Sequence, residues 1–439
     1  MYNGLCTITA MRWDALLLIL PVTALAQRLI WLETLPECQS KALSISADGS
    51  RVVGTLMSPD QRRIAFFWHN ATGHFFNELG LRQGAARGIS ADGRTIVGWI
   101  YGDDGYPIAF RLRETSADML GTPGTAGSVA TAVSADGSVV VGWFSQGNLN
   151  RAFRWTEEAG ILELGTLGGA ESLAFGVSGD GAVVVGRAHD ERGEWRAFRW
   201  VAGEMQDLGD FGGTRAEALG VSADGRVVIG WAEHPSGFME AFRWEEADGM
   251  IALGTLGGAQ SKALAVSADG SIVVGWSDTP EGKRRAFRWS RARGMEDLTT
   301  VYAALLSDSS ELLEARAITP DGRFIAGWGY NATRKQITAY LLDTQDGNTV
   351  PDAARPTLAL RIEPHPVLGS AQVRYTLPDA AAIRLEISDL LGRQRVVLAD
   401  GWEPAGERVH KLPDLGAGFY ICRLQYRQRV DTAPVIVLR

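Results

Sequence analysis

AVSADGSVVVGW, residues Ala132–Trp143, is the stretch that decides the fold, because close copies of it recur along most of the chain. Aligned on their Asp-Gly pair, the copies put Asp48, Asp92, Asp136, Asp180, Asp224, Asp269 and Asp321 in register, each followed by glycine. The successive steps are 44, 44, 44, 44, 45 and 52 residues, and self-similarity at a fixed period of this size marks a repeat architecture. Within one copy, Ala132–Ser134 reads as a short strand of small residues, Asp136-Gly137 as a two-residue hairpin turn needing positive φ, and Val139–Phe144 as a β-branched strand. A variable polar loop, then Arg151–Trp155 (RAFRW), a turn at Glu157–Gly160 and Ile161–Leu164 (ILEL) complete four strands per unit.

Four short antiparallel strands are what one propeller blade needs, and propellers close with roughly four to eight blades. The expectation is therefore an all-β chain: a seven-bladed β-propeller closed by an N-terminal strand, followed by a small C-terminal β-sandwich. Small residues such as Ala174, Gly176, Ala263 and Ala265 suit an innermost strand crowded at the axis. Tryptophans recur at Trp99, Trp143, Trp231, Trp276 and Trp328 after the second strand's glycine, and at Trp68, Trp155, Trp200, Trp244 and Trp289 ending the third. A periodic aromatic stripe of this kind reads as packing between blades, each ring removing ~150–250 Å² from water. The seventh repeat ends at Ile337–Asp343 without a fourth strand, and Leu29–Glu33 (LIWLE) precedes Thr34-Leu35 as Ile161–Gly165 precedes Thr166-Leu167, so it is expected to supply that strand. Thr300–Glu314, inside the longest step, has helical periodicity and reads as a short surface helix.

The ends carry other signals. Residues 1–26 combine Arg12, the apolar run Ala15–Leu25 and a small-residue cleavage site at Ala24-Leu25-Ala26, the pattern of a secretory signal peptide. The run is well short of the ~20 apolar residues of a membrane-spanning helix, so no transmembrane anchor is expected, and Met11 would itself start a better-proportioned signal. The expected organisation is signal 1–26, propeller 27–346, linker 347–357 and sandwich 358–439, the last from seven alternating runs beginning at Leu358 and ending at Leu438. A net charge of −8 argues against nucleic-acid binding, which needs a basic face. Cys6, Cys38 and Cys422 are too far apart for a metal knuckle or a disulfide framework.

Chemistry-bearing motifs are sparse. The six histidines (His69, His74, His189, His234, His365, His410) show no HExxH spacing, no Gly-x-Ser-x-Gly elbow occurs, and each Ser-x-Asp-Gly offers one carboxylate where a calcium loop needs several. No catalytic residue, metal site or cofactor is assigned. Strand alternation puts the loops between second and third strands, together with the links between blades, at the end opposite the Asp-Gly turns. There Tyr101, Tyr106, Phe144, His189, Trp195, His234, Phe238 and Tyr330 are the candidate ligand-binding residues, able to stack on sugars or clamp a peptide. The alternative is a hydrolase or lyase acting on extracellular polysaccharide, with Asp103, Asp104, Glu194 and Glu233 as the acids.

Two resemblances add to this reading. The AF-R-W strands (Ala152–Trp155, Ala197–Trp200, Ala241–Trp244, Ala286–Trp289) and LGTLGG links (Leu164–Gly169, Leu253–Gly258) resemble the HAF family of bacterial extracellular repeats, over residues 29–343. The first, second and seventh repeats depart from that pattern, with Tyr340-Leu341-Leu342 replacing Phe-Arg-Trp in the last. This resemblance implies secretion and no known reaction. In the tail, Pro364-His365-Pro366, Val373–Leu377, Leu385–Gly392, Ala405-Gly406 and Leu415–Leu424 resemble the C-terminal sorting domain of proteins exported by the type IX secretion system, with His-Pro where that family usually has Asn-Pro. It implies an extracellular or outer-surface protein whose partner is the type IX machinery and whose tail is open to cleavage during export. A free-standing adhesive sandwich is the other reading of the tail.

Overall fold

Strand by strand, each repeat folds onto itself. In the third, Val139–Gln146 pairs with Ser128–Val133 on one side and Leu149–Thr156 on the other, and Leu149–Thr156 pairs with Gly160–Glu163 at the outer edge, all antiparallel. The computed structural model describes residues 27–32, 37–69, 83–113, 116–120, 127–306, 308–344, 360–363, 367, 370–377, 381–389, 395–416, 418–426 and 429–437. The signal stretch, the linker, His74 and His365 lie outside them. Seven such sheets follow one another, six of four strands and the first of three within the described residues. In the seventh, Arg28–Trp31 pairs antiparallel with Gln336–Asp343, Trp31 opposite Tyr340, so the two ends of the propeller share a blade. That pairing covers the edge that Gln336–Asp343 would otherwise leave open.

The repeated letters each have a mechanical role. The Ser-Ala-Asp-Gly element is not the two-residue hairpin expected from sequence. It is a four-residue loop in which the glycine alone takes positive φ (Gly137 at 75°) and its N–H donates to the Ser134 carbonyl at 3.0 Å. The correction has a side-chain cause. Ser134 Oγ donates to Asp136 Oδ1 at 2.6 Å and accepts the Val139 N–H at 2.9 Å, while Asp136 also accepts the Ser138 N–H at 2.9 Å, so the loop is wired internally and the Asp need not enter the left-handed region. The same wiring recurs in the other blades, with Thr319 replacing serine in the seventh.

These loops also join the blades. The alanine N–H of each donates to the equivalent carbonyl of the next: Ala47 to Ala91, Ala91 to Ala135, Ala135 to Gly179, Gly179 to Ala223, Ala223 to Ala268 and Ala268 to Pro320, at 2.9–3.0 Å. Pro320 has no N–H to offer Ala47, so this ring is open at the seam that the N-terminal strand closes.

Between blades the packing follows the AF-R-W strand. Its phenylalanines (Phe66, Phe110, Phe153, Phe198, Phe242, Phe287) are fully buried, and Tyr340 takes the position in the seventh blade, donating its hydroxyl to the Glu314 carbonyl at 3.1 Å. The arginine reaches across to the next blade's turn: Arg154 to the Gly181 carbonyl at 3.0 Å, Arg199 to Gly225 at 3.1 Å, Arg243 to Gly270 at 3.3 Å. The tryptophans fill the seams, Trp244 packing with Val183, Val185 and Ala197 of the preceding blade.

Thr300–Glu314 departs from the expected helix. Asp297 caps a single turn, Leu298–Val301, a 3-10 turn follows at Ala303–Leu305, and Glu311 already begins the innermost strand of the seventh blade. Leu298, Tyr302 and Leu306 are buried against that blade, which satisfies the same apolar spacing without a longer helix.

The second compact unit begins at residue 349. It is a sandwich of two antiparallel sheets, Arg361–Glu363, Gln372–Leu377 and Gly406–Lys411 in one, and Arg395–Glu403, Ala381–Asp389, Gly418–Tyr426 and Arg429–Val437 in the other. Val373, Tyr375, Leu385, Leu424 and Val435 form its core. The buried Cys422 thiol is pushed up to about 12 by desolvation.

Candidate functional site

Among the described residues, the loop face and the axial channel are the places where the repeats converge on a surface open to a ligand. On the loop face the second and third strands are joined by short turns rather than the open loops their variable sequence suggested. In the fifth blade the His234 N–H donates to the Phe238 carbonyl at 2.9 Å and the Gly237 N–H to the His234 carbonyl at 2.8 Å, with Gly237 at a φ of 82°. The second blade repeats this geometry at Gly102–Tyr106, where Asp104 also accepts the Tyr106 N–H at 3.1 Å. Tyr106 and Phe238 each follow the left-handed glycine of such a turn and stand out from it, 52% and 49% exposed. Tyr101 and Tyr330, at the ends of second strands, are also exposed.

The other candidates are placed differently. Phe144 is buried against Phe153, ring centroids 6.5 Å apart, because its strand extends to Gln146 and turns that side chain inward; it belongs to the core. His189 and Trp195 are brought together, centroids 3.8 Å apart, on facing residues of one hairpin. Arg187 lies over the same Trp195 ring at 4.1 Å and pairs with Glu217 of the next blade. His234 contacts Glu240 Oε2 through Nε2 at 2.6 Å and stacks on Phe211 at 5.0 Å. The two histidines are thus each engaged near their own blade.

Of the four acids of the hydrolytic alternative, Glu194 and Glu233 are held by arginines, while Asp103 and Asp104 are exposed in the turn after Tyr101 and Asp104 accepts the Tyr106 N–H. Glu233 is almost fully buried and meets Arg215 Nη2 at 2.7 Å, and that arginine, then Thr214, holds its carboxyl below the usual range. Glu194 pairs with Arg196 at 2.8 Å, and Arg196 also holds Asp190 and Asp210. A general acid for glycoside chemistry needs the opposite displacement. Among the described residues no group of three His, Cys, Asp or Glu side chains is arranged as metal ligands, and no helix is long and apolar enough to cross a membrane.

The channel was invisible to the sequence reading. Each innermost strand carries a β-bulge at the fifth residue before its aspartate, which turns Leu43, Arg87, Thr131, Phe175, Leu219, Leu264 and Arg316 toward the axis. All seven line one cavity of about 500 Å³. The same bulges bring the inner strand over its neighbour, so that a Cβ on Gly142 would collide with the Val129 carbonyl; this fixes the glycine in VVVGW. The signal was available in the repeat itself: five of the seven bulge positions are uncharged and two are arginine.

No family model matches the chain, and no curated protein does. Among solved structures the chain is similar to the β-propeller domain of the Trilobed protease from Pyrococcus furiosus, at 11% identity and a TM-score of 0.49, covering 72% of this chain and 98% of that one. It is also similar to an oligogalacturonate lyase in complex with manganese, at 12% identity and 0.49, covering 72% and 92%. With TolB from Acinetobacter baumannii the values are 12% and 0.42, and the chain spans 65% of that protein's length. Likenesses this distant bear on neither ligand nor reaction.

Proposed function

We propose that this chain is a secreted binding module: a β-propeller that presents aromatic side chains to an extracellular ligand, carried out of the cell by its two ends. The observation that supports it most is the display of Tyr106 and Phe238 on rigid hydrogen-bonded turns. Side chains held this way lose little entropy on binding, and aromatic rings offer large contact area per immobilised group. The engagement of Glu194 and Glu233 by arginines favours binding over hydrolysis. The HAF-like repeats support an extracellular setting. The N-terminal 26 residues read as the inner-membrane export signal, and the sandwich after residue 349 as a type IX sorting domain with that machinery as its partner.

Screening the full chain against glycan and peptide arrays, alongside a polysaccharide-hydrolysis assay, tests the module. A saturable ligand whose affinity falls at least tenfold in Phe238→Ala or Tyr106→Ala supports it; turnover without such a ligand sinks it. Export is tested separately by removing residues 349–439, which should retain the protein inside a type IX-competent cell.

A further inference from the structure

Only three charged residues line the axial cavity among those described, and all are arginines: Arg63, Arg87 and Arg316. The chain as a whole carries a net charge of −8, so a carboxylate-free basic chamber at its centre is not a consequence of composition. The arginines are also grouped. Arg316 belongs to the seventh blade, Arg63 to the first and Arg87 to the second, three consecutive blades once the N-terminal strand has closed the ring.

Within this group Arg87 is the exposed cost of the arrangement. Its Nε is out of solvent and has no hydrogen-bond partner among the described residues. Burial, then the charges of Arg316 and Arg63, lower its affinity for its proton to a pKa of about 10. Arg316 meets one carboxylate, Glu314 Oε1 at 3.4 Å. A guanidinium placed among like charges without a counterion opposes folding, and such a group persists in natural proteins chiefly where something else uses it. An anionic ligand is the natural candidate, because a planar guanidinium fork matches an oxyanion.

Across the channel the lining changes character. At the same bulge position as Arg87 and Arg316, the fourth, fifth and sixth blades supply Phe175, Leu219 and Leu264. One wall is cationic and the facing wall is apolar, inside a volume within the roughly 300–1,000 Å³ typical of small-molecule sites. We propose that the axial cavity binds a small organic oxyanion, a carboxylate or phosphate monoester on an apolar body, with its charged head on Arg87 and Arg316 and its body against Phe175. This assignment is independent of the loop-face aromatics.

The test is calorimetric titration of the full chain, at low ionic strength with chloride as the balancing anion, using inorganic phosphate, phenyl phosphate and benzoate. Phenyl phosphate or benzoate should bind at one saturable site, and which of them is tighter identifies the head group. Arg87→Gln and Arg316→Gln should each weaken that binding at least tenfold, while Phe238→Ala leaves it unchanged. Phe175→Ala should weaken phenyl phosphate several-fold and spare inorganic phosphate; equal losses for both would overturn the apolar wall. Without ligand, Arg87→Met should melt no lower than the parent, because it removes an uncompensated charge. The assignment is overturned if none of the three anions binds saturably, if Arg87→Gln binds within twofold of the parent, or if Arg87→Met melts well below it, which would make Arg87 a structural residue.

Discussion

Replacing Ser222 by alanine should destabilise the propeller by about 1.5–4 kcal/mol, although it removes one oxygen atom from a turn. That hydroxyl donates to Asp224 Oδ1 at 2.6 Å and accepts the Val227 N–H at 2.9 Å. Without it the Val227 N–H, buried at the start of the second strand, is left unpaired, a loss of ~1–3 kcal/mol. The aspartate is half exposed and water can replace its lost donor, so that bond adds ~0.5–1 kcal/mol at most. Spread over the roughly 300 residues of the propeller, an unfolding entropy of ~2.1 cal/mol/K per residue converts the sum to a fall of about 2–6 °C in Tm. Differential scanning calorimetry of the full chain, with urea unfolding followed by tryptophan fluorescence, reads both quantities. Ser222→Thr is the control. Thr319 makes the same two bonds at 2.6 and 2.9 Å in the seventh blade, so threonine should stay within ~0.5 kcal/mol of the parent. If Ser222→Ala melts within 1 °C of the parent by the same ~2.1 cal/mol/K conversion, or if Ser222→Thr loses as much as alanine does, the internal wiring of the turn is not what holds the blades in register.

Acid should act through the same turns. The Ser178 hydroxyl, then the Ala182 N–H, hold the Asp180 carboxyl below its ordinary value, and Ser222 does the same for Asp224. A carboxyl lowered by folding contributes stability that is fully present above its unfolded value of ~3.9 and is lost as pH falls toward the folded one. The melting temperature should therefore drop steeply below about pH 4, and Ser222→Ala should flatten that slope in a pH series of melts. Removing residues 27–32 deletes the outer strand of the seventh blade, the Trp31–Tyr340 edge contact at 6.2 Å and the fully buried Leu32; the melt should broaden and shift down clearly, and an unchanged profile would refute closure by that strand. Two phenylalanines four residues apart should behave oppositely: Phe242→Ala, fully buried, should lose ~3–5 kcal/mol, whereas Phe238→Ala should leave the urea midpoint unchanged and affect ligand capture alone.

Periodicity made the blade count, the strand order and the closing strand readable before any coordinates, because each depends on where apolar and turn residues recur. It misread two features for a common reason. In the Asp-Gly turn and in Thr300–Glu314 the deciding interactions are side chain to backbone, Ser134 with Val139 in one and Asp297 with Thr299 in the other. Hydrophobic spacing does not register such bonds. The variable sequence after Trp143 reads as a loop beginning at Phe144, whereas the strand runs on to Gln146, so Phe144 keeps the strand's alternation and its side chain lies on a buried face. The channel escaped altogether: a β-bulge breaks the alternation at the very residue it turns toward the axis.

The repeats themselves then provide a way to tell structural departures from functional ones. Seven residues before each aspartate, Ala85, Val129 and Leu173 are apolar while Lys41, Glu217, Lys262 and Glu314 are charged. Those charges are absorbed by neighbouring blades. Lys41 Nζ lies 4.3 Å from the Trp328 ring and Lys262 Nζ 4.2 Å from Trp231, Glu217 pairs with Arg187 of the fourth blade, and Glu314 meets Arg284 of the sixth. Each such departure has a partner across a seam and is accounted for by blade-to-blade adhesion. Two residues further along, at the bulge, the departures are Arg87 and Arg316 against five uncharged residues, and Arg87 has no such partner among the described residues. A fold that supplies partners for the charges in its seams and, among the described residues, none for the Arg87 Nε at its axis presents there a guanidinium suited to an oxyanion.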